Sequence, residues 1–138
     1  AHKHLPEMAQ VCGLTRKPVF MPMICDFPQG MVVTVPLYLD MLNGSQSLDS
    51  LRTLYREFYA GARFVTVRPD DAPACGFIGS NNLAGTNELQ IFVCGNDEQV
   101  MLAARLDNLG KGASGAAVQN MNIMLGFPEE TGLDVQPR

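Results

Sequence analysis

The chain has 138 residues, 46% of them apolar and 17% charged, with ten Lys and Arg against fourteen Asp and Glu. That composition excludes disorder and describes one domain of ordinary size, too short for a cofactor domain joined to a substrate domain. No basic run exceeds Arg16-Lys17 and no apolar run approaches the roughly 20 residues that cross a bilayer, so neither nucleic acid nor a membrane is expected as a partner.

The N-terminus carries no secretory pattern, and a cytoplasmic protein is expected. Cys12, Cys25, Cys75 and Cys94 are even in number, which raises a disulfide framework. Their wide spacing and apolar flanks, without a Cys-x-x-Cys clamp, favour mostly buried thiols instead.

The first predicted element is a two-turn helix over "LPEMAQVC", with Pro6 in its first turn, Glu7 near the positive end, and Leu5, Met8 and Val11 at three-residue spacing. "PVFMPMIC" is β-prone but broken by Pro22, which predicts an extended segment at an edge or leading out of a sheet. After the turn "DFPQG", the stretch "MVVTVPLYLD" predicts a strand with Met31, Val33, Val35, Leu37 and Leu39 on one side. Both of its sides are largely apolar, so one face should be covered by helices and the other partly covered.

"SLDSLRTLYREFYAG" predicts a helix with Ser47 as N-cap and Asp49 in the first turn. Leu48, Leu51, Tyr55 and Phe58, joined by Leu54, should bury against the sheet, with Arg52 and Glu57 in solvent. "RFVTVRP" predicts a short strand, and "GFIGSNNLAG" another followed by polar turns. "NELQIFVCGNDEQVMLAARLD" has the form of an antiparallel hairpin turning at Gly95-Asn96-Asp97, and should be the centre of the sheet. A final helix is predicted over 112–126, ending at Gly126 and Pro128. The sum is an α+β fold, a mixed and mostly antiparallel sheet with helices packed on it.

Both histidines lie in the opening "AHKHLPE". In an extended segment the i, i+2 pair points one way. A metal site would need further ligands that the scattered cysteines do not supply, so none is expected. The pair reads either as an accident of the terminus or remnant of a tag, or as an acid/base just ahead of a Pro-started helix. The glycine-rich "NLGKGASGAA" follows a strand and opens a helix, but fits neither G-x-G-x-x-G nor G-x-x-x-x-G-K-S/T. Lys111 could meet an anion there, whereas small residues at a helix start equally suit close packing. Asp107 and Asn108 fall where the loops of a sheet gather, or serve simply as turn caps.

Taken together, "HKHLPE", "FVTVRP" and "LDNLGKGASGAAVQNMNIMLGFPEETGL" resemble the carboxy-terminal domain of N-acetyl-gamma-glutamyl-phosphate reductase of arginine biosynthesis, in its shorter branch, over residues 1–138. The resemblance implies a glyceraldehyde-3-phosphate dehydrogenase-like C-terminal domain for catalysis and oligomerisation. It further implies an NADPH-dependent enzyme that reduces the acyl phosphate N-acetyl-L-glutamyl 5-phosphate to the semialdehyde through a cysteine thioester.

By the same resemblance His2 is the acid/base. His4, Arg16, Lys17 and Arg68 fall to substrate, and Asn108, Lys111 and Gly112 fall near the cofactor. The helix over 112–126 would pack on a Rossmann domain. That domain and the catalytic cysteine are not found in this sequence, so NADPH would be bound mainly elsewhere and the chain alone is expected to be inactive. A homo-oligomer through the sheet is implied too. Longer members carry arginine where Gln29 precedes Gly30, so an anion contact made by that arginine must come from elsewhere. The competing reading is a stand-alone interaction or oligomerisation domain without catalysis.

Overall fold

The structure, a computed structural model, describes residues 2–68 and 76–134. Helix α1 (His4–Val11) forms where proline and an acidic residue open the first turn. Residues 12–30 follow without helix or strand and lead into strand β1 (Met31–Tyr38), which closes in a 3-10 turn at Leu39–Met41. Helix α2 (Leu48–Phe58), strand β2 (Val65–Val67), strand β3 (Leu89–Gly95) and strand β4 (Gln99–Leu106) come next. A π turn at Gly110–Ser114 then opens helix α3 (Gly115–Leu125).

The four strands form one sheet in the order β1-β4-β3-β2. β1 pairs with β4 and β3 with β4, both antiparallel, while β2 joins β3 in parallel through three residues. The predicted hairpin is therefore the centre of the sheet. Its tip is an Asx turn, in which the Asn96 side-chain oxygen accepts from the amides of Glu98 at 2.8 Å and Gln99 at 2.9 Å. The mixed, mostly antiparallel α+β fold is the expected one.

Register decides what is buried. Val35 lies opposite Leu102, which lies opposite Val93, so one face of the sheet is a continuous row of branched side chains. α2 lies on this face, and the core is Leu39, Leu51, Ile91, Val93 and Val100 with Leu48, Tyr55 and Leu102 against it. The helix start is fixed twice. Ser47 and Ser50 form a reciprocal capping box, and the carboxylate of Asp97 in the hairpin tip accepts from the amide of Leu48 at 2.9 Å.

Several expectations are corrected. Leu54 and Phe58 point outward, and Arg52 is turned inward, its Nε donating to the Val93 carbonyl at 3.3 Å. The inner stripe is thus narrower than the apolar spacing suggests, because a guanidinium stem can cover apolar surface while its head finds a backbone acceptor. No strand forms over 76–85. That segment is held by side chains instead of a ladder: Arg105, stacked on Phe92 at 5.2 Å, donates to the Gly79 carbonyl at 3.1 Å, and Asp107 takes the Gly85 amide. Cys12 and Cys25 are exposed and Cys94 is half-buried, against the expectation of buried thiols; Cys75 lies outside the described residues. The first two follow from their position on a segment that does not fold onto the sheet.

Among the described residues no helix is long and apolar enough to cross a membrane, and no three of His, Cys, Asp and Glu gather around a point that could hold a metal ion.

Truncating Leu51 to alanine should lower stability by about 2–5 kcal/mol, since the side chain is buried between sheet and helix. Urea unfolding midpoints of the two proteins check this. A loss under about 1 kcal/mol would mean that α2 is not the cover of the core.

Candidate functional site

The sheet has two ends, and they differ chemically. At one end lie the hairpin tip and the turn after β1. At the other, β1 begins, β4 ends, β3 begins, and the segment 80–88 turns back. Backbone amides left over at this second end must find acceptors, and one buried carboxylate supplies most of them.

Asp107, 1% exposed, is the first residue past β4. Its Oδ2 accepts from the Gly85 amide at 2.6 Å and from Gln29 Nε2 at 3.0 Å, and its Oδ1 accepts from the Leu109 amide at 2.8 Å. Burial pushes this carboxyl up, but the hydrogen bonds from the amides of Gly85, Leu109 and Gly110 outweigh it and hold Asp107 below the usual aspartate range. Its carbonyl accepts from Gly112 at 2.8 Å. Asn108 completes the clasp, its side-chain oxygen accepting the Gly30 amide at 2.7 Å. Gly30 has φ +118°, and a Cβ there would lie 2.5 Å from the Ser80 carbonyl oxygen, so the approach of these two segments requires glycine.

This arrangement decides the glycine-rich turn. The amides of Leu109, Gly110 and Gly112 are spent on Asp107, so they do not form an open anion cradle. Lys111 is likewise engaged. Its ammonium donates to Gln119 Oε1 at 2.6 Å and sits 5.4 Å from the centre of the Phe64 ring. Burial lowers its pKa, opposed by the charges of Glu129 and Glu88. What the turn leaves available is the amide nitrogen of Asn108, which has no hydrogen-bond partner among the described residues, on a half-buried side chain.

The two histidines form a separate cluster on the arm formed by residues 2–28. His2 packs edge-on against His4 with centroids 4.7 Å apart and against Phe20 at 4.9 Å. Nδ1 of His2 accepts the His4 amide at 3.3 Å, which leaves the proton of the neutral ring on Nε2. Both imidazoles are exposed.

The arm joins the body at Gln29 and Gly30, the two residues held by Asp107 and Asn108, so the histidine-bearing segment and the turn before α3 are anchored at the same end of the sheet. Arg16 and Lys17 are exposed on that arm. Arg68 lies just past β2, the strand on the edge of the sheet opposite β1, where the arm joins. There its charge adds to burial in lowering the pKa of Arg105.

Gln29 and Asp107 are the residues whose part the sequence conceals. Asp107 reads as a turn cap in sequence, and a fully buried hub differs from one only through contacts with residues 22 and 78 positions away.

A mixed sheet with a central antiparallel hairpin, helices against it, and loops gathered at one end is the architecture of the glyceraldehyde-3-phosphate dehydrogenase-like C-terminal domains. Residues 1–108 match the family model of the semialdehyde dehydrogenase dimerisation domain, and the chain belongs to that family. Among curated proteins it is similar to N-acetyl-gamma-glutamyl-phosphate reductase 2 of Nostoc sp., 49% identical over an alignment that covers 96% of this chain and 43% of that protein. The reductase of Trichormus variabilis is 47% identical with the same coverage, and that of Brucella ovis 48% identical over 91% of this chain and 41% of its own. The chain thus spans less than half the length of the curated relatives it matches.

Asp107 should confer a pH signature. A depressed folded pKa contributes stability that is fully present above the unfolded value of about 3.9 and is lost as pH falls through the folded value. Asp107→Asn should cost about 1–3 kcal/mol near neutrality, because buried amides lose their acceptor. The gap between the two proteins should stay level from about pH 7 to 5 and narrow below about pH 4. Urea unfolding across that range tests it, and a gap that widened on acidification would contradict the assigned direction.

Proposed function

We propose that this chain is the carboxy-terminal catalytic and oligomerisation part of an NADPH-dependent oxidoreductase of arginine biosynthesis. The full enzyme would convert N-acetyl-L-glutamyl 5-phosphate to N-acetyl-L-glutamate 5-semialdehyde and phosphate. The observation that carries this reading is the likeness at 47–49% identity, across 96% of the chain, to proteins bearing that reductase name. The join of the arm to the body at Gln29 and Gly30, beside Asn108, is compatible with this reading.

NADPH would supply the hydride. Of the three residues assigned to it, Asn108 fits by chemistry, with a free amide nitrogen able to donate to a carboxamide oxygen. Lys111 and Gly112 are engaged within the chain, which suits a cofactor held mainly by a Rossmann domain supplied from the rest of a longer protein.

In this reading His2 is the proton carrier. Its Nε2–H is set to protonate the oxygen that develops negative charge as the thioester, formed on a cysteine of the missing part, is reduced. A charged imidazole beside that cysteine would favour its thiolate. His4 orients the first ring or the substrate, and Arg16, Lys17 and Arg68 are the candidate partners for substrate anions. Of these, Arg16 and Lys17 share the arm with the histidines, while Arg68 would need substrate or chain to bridge to the far edge.

The exposed apolar residues at the end of α3 and just past it, Met121, Ile123, Met124, Leu125 and Phe127, all at least half exposed, would pack on the missing domain. A homo-oligomer would form through the sheet, and the protein would work in the cytoplasm.

The chain alone should show no NADPH-dependent turnover. In a chimaera that supplies the amino-terminal part of the Nostoc relative, turnover should appear. There His2→Asn should lower kcat by about 10²-fold or more while leaving NADPH affinity within about twofold. Steady-state kinetics and cofactor titration check both halves. A kcat that survived within about twofold would move the acid/base role away from His2, with His4 the next residue to test.

A further inference from the structure

A second polar place lies along β2, the edge strand opposite the one where the arm joins. A cleft of about 570 Å³ opens there, with Thr66, Arg68, Glu88 and Gln90 among its walls. Register puts these four on one face of the sheet. Thr66 lies opposite Gln90, Glu88 precedes Gln90 by two residues, and Arg68 follows Thr66 by two, its amide still donating to the Ile91 carbonyl at 2.9 Å.

Glu88 decides the chemistry. It is 7% exposed, yet its carboxylate accepts from no donor among the described residues; the bond it makes to Thr86 comes from its backbone amide. Lys111 feels its charge, which with that of Glu129 opposes the lowering of the Lys111 pKa by burial, but the ammonium donates to Gln119. A carboxylate withdrawn from water without a partner is costly, and at the wall of a cleft a ligand can supply that partner. The opposite sign stands on the same face. Burial lowers the pKa of Arg105 and the charge of Arg68 lowers it further, while Arg105 itself donates to neutral oxygens, the Gly79 carbonyl and Gln90 Oε1. Two like charges so placed favour an anion beside them. Between the poles, the Thr66 hydroxyl and the Gln90 Nε2 offer neutral hydrogen bonds.

We propose that this cleft binds a free α-amino acid, its ammonium on Glu88 and its carboxylate on Arg68. The walls carry one charge of each sign, and that pairing selects a zwitterion. Phosphate or a dicarboxylate would set an anion against Glu88, and a polyamine would set a cation against Arg68. Among the described residues no second carboxylate, histidine or cysteine gathers with Glu88 into a metal site. A guanidinium has five donors, so Arg68 can take a carboxylate beside its other contacts. The substrate of the reductase reading has its nitrogen acylated and is no zwitterion, so the amino acid is a second ligand, and its site stands whether or not that reading holds.

Titrating the isotope-labelled chain with each of the common L-amino acids, singly and up to about 10 mM, tests the site by nuclear magnetic resonance. At least one should shift the backbone amides of Thr66, Val67 and Gln90 with a Kd below about 1 mM. Its N-acetyl and carboxamide derivatives, each lacking one of the two charges, should bind about tenfold more weakly or worse. Glu88→Gln and Arg68→Gln keep the shapes and remove the charges, and each should weaken binding by a similar factor while circular dichroism shows the fold intact. Two variants are included so that misfolding of one leaves the other decisive. A chain that binds none of the amino acids would overturn the proposal. So would binding that survives either substitution in a folded protein, or an N-acetyl derivative that binds as tightly as its parent, which would give the cleft to the acylated substrate instead.

Discussion

A single carboxylate taken out of water organises one whole end of this molecule. Asp107 accepts from a side chain on the arm, from a turn between β2 and β3, and from the chain just beyond β4. Isolated burial of a carboxylate is costly, and here that cost is offset because the same oxygens satisfy amides that would otherwise be buried without acceptors. The segments it joins are remote in sequence, so its effect is topological. The arm, the 80–88 segment and the start of α3 are brought to one place by it, and Asn108 beside it sets where β1 begins.

The same economy explains why the glycine-rich turn before α3 is not a phosphate site. A turn with several free amides at a helix start is a ready anion receptor, and this one has an anion already, in the form of its own aspartate. The glycines serve close packing.

Much of the fold was legible because it is written in short-range pattern. Alternation over 89–106 with Gly-Asn-Asp between gives the hairpin, and Ser47 ahead of Asp49 gives the start of α2. The strand expected over 76–85 failed for a physical reason: its backbone groups are claimed by Arg105 and Asp107 from far along the chain, and no local pattern records such a claim. Arg52 is similar, an ordinary solvent-facing arginine until a strand carbonyl lies beneath it. Of the candidate site residues, His2, His4 and Asn108 were visible in sequence as residues of suggestive type. That the arm holding the first two is fastened beside the third was not, since it depends on Gln29 and Gly30, which carry no chemical signal of their own.

The bond from the Leu48 amide to Asp97 also couples helix α2 to the closing of the hairpin. Helix α2 is completed at its leading end by a residue belonging to the hairpin tip, 49 positions onward. Closing β3 on β4 is a local event across the three residues 96–98, while β1 and β4 are separated by the sixty residues 39–98. Loop closure of that length costs more entropy, which favours a hairpin that forms before β1 docks. The strand that closes the longest loop is also the one whose leading end Asn108 fastens, so the longest closure in the sheet is held at its start by a side chain from just beyond β4.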